Sequence, residues 1–506
     1  MSDNTELRRL ARGGVGGLMA AAVSGLGGLV FITIAARSFS KADVGTTFAL
    51  TSLFLIAVAV VTLGTDVGIV RFLAVKRAQG RDDHLSAVMA VTLGPVILLS
   101  IATASALWFT LPLVFSTEKT DMARLLAVFL PMAAISNLSL AGTRGLGTVR
   151  PTVTIDGLLR QGLQPLLALV VAWQASDPFW LVAAWVTPYA VSAVAGWMAY
   201  VRMCRKVKVA PITAPWSPST QGVWAEVWRF HAPRSVTQIA QIGIRRADIP
   251  LVTAIAGPAA AGVYTAASRF VAAGLQAIRG TQQMVGPQMA RLVGAGRLEE
   301  AGTALRTATT WNVLVAWPLY LTCAAMPDLV LSLFGPNYSS GKPVVVILAL
   351  AMLIGTAAGP VDIALLMLGR STQSLANNMA ALVTNLALNL LLIPIMGITG
   401  AATAWAASIL VSNALPTWQI RKVLGNPWDR ATLFAVGATL VPFGALPLAG
   451  RLAGLDTDAG QALLLGVGLL MFVALLWRFR GPLLLVELFA AVAPRLGRRN
   501  RQQASA

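Results

Sequence analysis

Charge is scarce in this chain: 12% of its 506 residues are Asp, Glu, Lys or Arg, about half of what a soluble globular protein carries. Histidine and cysteine are scarcer, with two of each. Cys204 and Cys323 lie far apart and form no CxxC or metal-ligand spacing. Neither His84 nor His231 has a nucleophile or a carboxylate set beside it, so no hydrolytic constellation is visible. One string, "GPNYSSGKP" (335–343), approaches a nucleotide-binding loop. It is a residue too long, and Pro343 stands where magnesium needs Ser or Thr. ATP hydrolysis, a metal and a cofactor are therefore not expected, and the chain reads as a non-enzyme.

What it has in abundance is apolar length. Hydrophobic residues make up 56% of the chain, and apolar runs of about 18 residues or more recur along nearly all of it, each able to cross about 30 Å of hydrocarbon. This predicts an all-α polytopic membrane protein with fourteen transmembrane helices. The spans fall near 13–36, 43–70, 86–112, 123–143, 152–173, 179–201, 231–256, 259–290, 303–326, 343–368, 373–395, 398–420, 431–450 and 459–477. The polar start (Met1 to Arg12) runs into a Gly/Ala-rich segment without a cleavage region, so the first span is expected to be retained.

The formal net charge of +19 would suggest nucleic acid in a soluble protein. Here the loops explain it. One alternating set of loops and termini holds 27 of the 39 basic residues, among them Arg71, Arg144, Arg205, Lys206 and Arg229, whereas the opposite set holds 6. Lys and Arg accumulate on the cytoplasmic side, which puts both termini in the cytoplasm of a multi-pass inner or plasma membrane protein and removes the need for a nucleic-acid partner. The other six lie in spans: Arg160, Arg234, Arg245, Arg246, Arg269 and Arg279, all arginine, against the acids Asp66, Asp156, Asp248 and Asp362. Arginine stays charged and presents a planar fork of donors, which suits oxyanion binding better than titration.

The chain also reads as duplicated. "AARSFSKADVGTTFALTS" (35–52) aligns with "VTAIAGPAAAGVYTAASR" (252–269), placing Gly45 on Gly262, and "LGTD" (63–66) lies opposite "RGTQ" (279–282). Six spans in each copy give two lobes of equal orientation, a parallel repeat. The predicted organisation is an N-terminal lobe (1–201), a basic cytoplasmic linker (202–230), a C-terminal lobe (231–422), two extra spans (423–480) and a basic tail (481–506).

The seventh span, "QIAQIGIRRADIPLVTAIAG" (238–257), carries the heaviest charge. Gln238, Gln241, Arg245 and Asp248 follow helical spacing and form one polar stripe, with Arg246 beside it. Arg245 should lie roughly 20 Å deep, counting about 1.5 Å per residue. Pro250 should break the hydrogen-bond ladder there. Arg269 reaches a similar depth from the outer side and Arg279 lies further in. Such arginines around a water-filled cavity suit a diphosphate. Against that stands a structural role: Arg245–Asp248 and Asp156–Arg160 each have the spacing of an intrahelical ion pair. Asp66 and Asp362 read equally as cation or proton sites and as helix-cap or interhelix bonds.

Four stretches carry a family resemblance: "ITIAARSFSKADVGTTFAL" (32–50) with "GTDVGIVRFLAVKRAQG" (64–80), "RRADIPLVTAIAGPAAAGVYTAASRF" (245–270), "LFGPNYSSGKPVVVILALAMLIG" (333–355) and "NLALNLLLIPIMGITGAATAWAASILVSN" (385–413). In this order the chain resembles the polysaccharide-export flippases of the multidrug/oligosaccharidyl-lipid/polysaccharide (MOP) exporter superfamily, over roughly residues 10–425. The resemblance implies two six-helix lobes around a central cavity. It also implies movement of a polyprenyl-pyrophosphate-linked oligosaccharide to the outer leaflet without ATP hydrolysis. Membrane lipids and polysaccharide polymerase or assembly proteins would be partners. The charged segment 142–162 departs from the pattern and leaves the substrate open. A cation-coupled multidrug antiporter is the alternative, with a membrane glycosyltransferase or polymerase behind it. The latter would need a large extramembrane loop or a catalytic carboxylate group, and the longest loop, 202–230, has neither.

Overall fold

Ser40 and Asp43 start the first long helix of the computed structural model. The Ser40 hydroxyl accepts from the Asp43 amide (3.2 Å), and the Asp43 carboxylate accepts in return from the Ser40 amide (3.2 Å), so two otherwise orphaned donors are satisfied together. Asp177, Asp429 and Thr457 cap later helices more simply, each side chain accepting from one first-turn amide. The structure describes residues 25–479 apart from 114–115, 175–176, 214–217 and 456. All regular structure among the described residues is helical.

In chain order the helices are α1 (Gly25–Ser38), α2 (Lys41–Thr62), α3 (Thr65–Ala78), α4 (Asp83–Thr110), α5 (Thr117–Gly145), α6 (Thr152–Gln174), α7 (Pro178–Val186), α8 (Pro188–Val207), α9 (Pro218–Arg246) and α10 (Asp248–Ile255). There follow α11 (Pro258–Gly294), α12 (Leu298–Ala325), α13 (Pro327–Ser332), α14 (Lys342–Ala357), α15 (Val361–Met367), α16 (Ser371–Met396), α17 (Ile398–Leu424), α18 (Arg430–Leu440), α19 (Leu446–Leu452) and α20 (Asp458–Arg478).

Ten helical stretches among the described residues are long and apolar enough to cross a membrane, and each falls on an expected span. The protein is a multi-pass membrane protein. The expected number was fourteen, and the other four differ for separate reasons. The first lies mostly outside the described residues, leaving the short apolar α1. The segments at 231–256, 259–290 and 303–326 are helical but diluted by polar residues. Arg245, Arg246 and Asp248 interrupt the first, Arg269 and Arg279 the second, and Thr307, Thr309, Thr310 and Asn312 the third.

The chain divides into two compact units, one Leu26–Gly262 and the other built on the chain from Val263 onward. In the first, α3, α4, α5, α8 and α9 bury Ile69, Leu73, Met89, Leu138, Tyr200 and Val227 in one cluster. A second cluster joins Phe54, Val58, Met122, Leu126 and Val182. The stretch read as a linker at 202–230 contains the last turns of α8 and the first turns of α9, and α9 packs within this unit. In the unit from Val263 onward, Val285, Met289, Leu305, Val361, Leu365 and Ile420 form the main cluster.

The repeat at Gly45 and Gly262 has a direct structural consequence within the first unit. A Cβ on Gly45 would meet the Pro258 carbonyl oxygen at 1.8 Å, and one on Gly262 would meet the Lys41 carbonyl oxygen at 2.1 Å. Pro258 stands to Lys41 as Gly262 stands to Gly45 in the aligned segments, so the contact is reciprocal, as a local two-fold requires. Glycine is needed because backbone touches backbone.

Candidate functional site

The charged side chains of the first unit converge where α6 begins. Its first nine residues, Thr152–Arg160, form a π-helix, an uncommon geometry that is enriched at functional positions. Asp156 and Arg160 both lie in it. The Arg160 Nε donates to Asp156 Oδ1 at 2.6 Å, and the guanidinium carbon stands 4.6 Å from the centre of the Tyr189 ring. Tyr189, on α8, is buried and held edge-on by Phe54 at 5.5 Å, with Trp185 tilted against it at 5.6 Å. Arg246, at the end of α9, lies close enough for its charge to act on the same tyrosine hydroxyl. Arg160 therefore contacts this phenol directly, and a second arginine on another helix adds positive charge through space. Such a cluster supplies permanent positive charge, a ring face and a hydroxyl, a set suited to an oxyanion.

Asp156 also lines a polar cavity of about 130 Å³ with Asp66, Asn137, Leu140, Arg144 and Thr152. Asp66 reaches it because the span read as one helix over 43–70 is broken: Leu63 and Gly64 are both left-handed (φ 48° and 67°), and α3 restarts at Thr65. Asp66 Oδ1 and Thr152 Oγ1 are buried and meet no hydrogen-bond partner among the described residues. Buried oxygens of this kind need a proton, a water or a cation. Asp66 and Asp156 are ninety residues apart, and sequence alone showed Asp66 as solitary.

The polar stripe expected on the seventh span is divided. Arg245 is exposed, its Nε donating to the Gln241 carbonyl at 3.1 Å, whereas Asp248 is buried and accepts from the Ile249 amide at 2.9 Å. The helix breaks at Ala247, before Asp248 and not after it. Pro250 explains the position, because a proline ring clashes with the carbonyl four residues back and removes that hydrogen bond. That carbonyl belongs to Arg246, the last residue of α9.

The remaining site candidates belong to the second unit. Arg269 lies partly buried on α11. Arg279 lies on the same helix, and its side chain falls outside the described residues. Asp362, in the first turn of α15, accepts from the Ser374 hydroxyl at 2.6 Å, an interhelix bond of the kind weighed for it. No group of three or more His, Cys, Asp or Glu able to hold a metal occurs among the described residues. Sequence reasoning missed Tyr189, Asn137 and Thr152 as site residues. Only for Tyr189 was there a signal, since tyrosine occurs five times in the chain and this one sits in an apolar run.

Comparison with solved structures shows where else this fold occurs. The fold is similar to that of "Lipid II flippase MurJ, inward closed conformation", with a TM-score of 0.70 at 11% identity over 91% of this chain and 98% of that one. It is similar also to a multidrug resistance MATE family transporter in an inward-facing conformation (TM-score 0.61, 14% identity, 79% and 95% covered). A third match is a MOP superfamily transporter from Pyrococcus furiosus (TM-score 0.59, 15% identity, 83% and 96% covered). These neighbours are a flippase and transporters, and what the chain shares with them is the fold. The family model described as "Polysaccharide biosynthesis protein" matches residues 34–343, and the chain belongs to that family. No curated protein matches it.

Proposed function

We propose that this chain is a transporter of the MOP superfamily that moves a polyprenyl-pyrophosphate-linked oligosaccharide from the cytoplasmic to the outer leaflet of the cell membrane, for cell-surface polysaccharide synthesis. One observation carries the reading: Arg160, paired with Asp156, lies over the Tyr189 ring inside a largely apolar unit, and the charge of Arg246 acts through space on the same group. Charge is costly at membrane depth, and ionisable groups there mark substrate or ion pathways. Arg245, Arg269 and Arg279 would extend the same diphosphate-binding surface. Both termini would be cytoplasmic, and polymerase or assembly proteins would take up the product.

Alternating access would need no ATP. A diphosphate carrying about two negative charges gains roughly 2.3 kcal/mol per charge per 100 mV on moving toward the positive outer side. The test is flipping of a fluorescent polyprenyl-pyrophosphate oligosaccharide by the pure protein in vesicles under an imposed potential. Wild type should flip faster with the outside positive, and Arg246→Gln should lose at least tenfold in rate, the loss of about one charge-assisted contact. Flipping that ignores both potential and substitution would refute the reading.

A second reading rests on the cavity of Asp66 and Asp156. Its two carboxylates and the buried oxygen of Thr152 also suit a coupling cation or proton, as a cation-coupled multidrug antiporter would need. Efflux of organic cations driven by a sodium or proton gradient in the same vesicles, with no lipid flipping, would establish that alternative.

A further inference from the structure

A second opening of the first unit lies between α3 and α9, apart from the arginines at Tyr189. It is a groove of about 520 Å³ lined by Arg71, Phe72, Ala225, Glu226, Arg229 and Phe230. We infer that this groove binds the phosphate of an anionic membrane phospholipid, clamped between Arg71 and Arg229. The inference does not depend on the transported substrate.

Charge is the first support. The one acid in the groove, Glu226, is bound by Lys76 Nζ at 2.6 Å, and Lys76 is itself buried beneath it. Glu226 is thus neutralised by a neighbour, and the two arginines leave the groove positive. Arg71 is held in place by a ring: its guanidinium carbon lies 4.5 Å from the centre of Phe230. Phe72 stands edge-on to that ring at 5.7 Å. A guanidinium stacked on an aromatic keeps its in-plane donors free for phosphate oxygens.

The surroundings identify the source as lipid. Arg71 is exposed on α3 between Val67 and Val75, both exposed and one helical turn to either side. Arg229 is exposed on α9, with Trp224 exposed before it and Val236 after it. Arg71 therefore interrupts an apolar stripe that, in a membrane-spanning unit, faces acyl chains, and Arg229 shares its face of α9 with Val236. Arg71 lies seven residues before the end of α3 at Ala78, about 10 Å along a helix. That is within about two turns of the helix end, near enough for an arginine side chain to reach the head-group region, where tryptophan also concentrates. A soluble anion would gain nothing from those valines, whereas the chains of a phospholipid would cover them while its phosphate meets both guanidinium groups.

The test uses the purified full-length protein and native mass spectrometry, titrated with phosphatidylglycerol and separately with phosphatidylcholine. Wild type should hold a first phosphatidylglycerol about tenfold more tightly than Arg71→Gln/Arg229→Gln, the effect of losing charge-assisted bonds to phosphate. It should show little preference for phosphatidylcholine. Arg205→Gln/Lys206→Gln removes the same charge from exposed positions at the end of α8 and should bind as wild type does. Equal binding by wild type and the Arg71/Arg229 variant, or equal losses in the two charge-matched variants, would overturn the site. Displacement of the lipid by millimolar inorganic phosphate would overturn the lipid assignment. If the glutamine variant does not fold, Arg71→Lys/Arg229→Lys retains charge but loses the fork. A severalfold weaker affinity is then expected, and an unchanged one would refute the two-arginine clamp.

Discussion

The two compact units bury polar groups in different ways. In Leu26–Gly262 the buried polar centre is ionic: Arg160 is bound to Asp156 and stacked on Tyr189, and Asp66 faces a cavity with an oxygen that no described residue satisfies. From Val263 onward, beside the bond of Asp362 to Ser374, several helix contacts are made by neutral pairs. Asn377 and Gln419 exchange two amide hydrogen bonds, at 2.8 and 3.0 Å, between α16 and α17. Trp317 Nε1 donates to the Thr356 hydroxyl at 2.9 Å, and the Thr310 and Thr432 hydroxyls lie 3.0 Å apart. A reciprocal amide pair is complete in itself and locks two helices. An ion pair with a stacked phenol and a neighbouring second arginine has capacity left over, and capacity left over is what a substrate can use.

The contrast can be broken by substitution. The largest effect is expected for Arg160→Gln/Asp156→Asn, which removes the ion pair without leaving a lone buried charge. Transport should fall about a hundredfold, roughly 2.7 kcal/mol in barrier, with the melting temperature nearly unchanged. A large drop in melting temperature with transport intact would make this pair a scaffold like the amides. Next comes Gly45→Ala, where the new methyl group would strike the Pro258 backbone. A loss of about 1–3 kcal/mol of stability is expected from forcing two backbones apart, measured by thermal unfolding in detergent. Smallest is Asn377→Ala, which leaves Gln419 with an unmet amide. It should cost about 1 kcal/mol of stability and leave the flipping rate within about twofold; a larger loss of transport would place the second unit's amides among the working residues.

Much of the fold could be read from the chain, because a membrane span must satisfy its own backbone and therefore declares itself as an apolar run. The alignment of Gly45 with Gly262 was legible as a repeat, but their reciprocal contact was not, since a repeat alone does not say that its copies touch. The seventh span was read less well: its stripe assumed a continuous helix, and the proline ended α9 at Arg246, separating exposed Arg245 from buried Asp248. The site was legible in kind but not in assembly. Arginines inside spans pointed to oxyanion chemistry. The meeting of Asp66 with Asp156 depends on a break at Leu63–Gly64 and a π-helical turn at Thr152–Arg160, and neither has a periodicity that sequence reveals.

The break at Leu63–Gly64 also sets a clock. Gly64 supplies no side-chain cap to α3, so the amides that follow it begin a helix without intrahelical acceptors. In deuterated buffer those few positions should exchange early, inside a stretch whose flanking turns keep their hydrogens far longer. Asp66 lies two residues past Gly64 and lines the cavity, so early exchange at this backbone would mark a route by which water brings a proton to it.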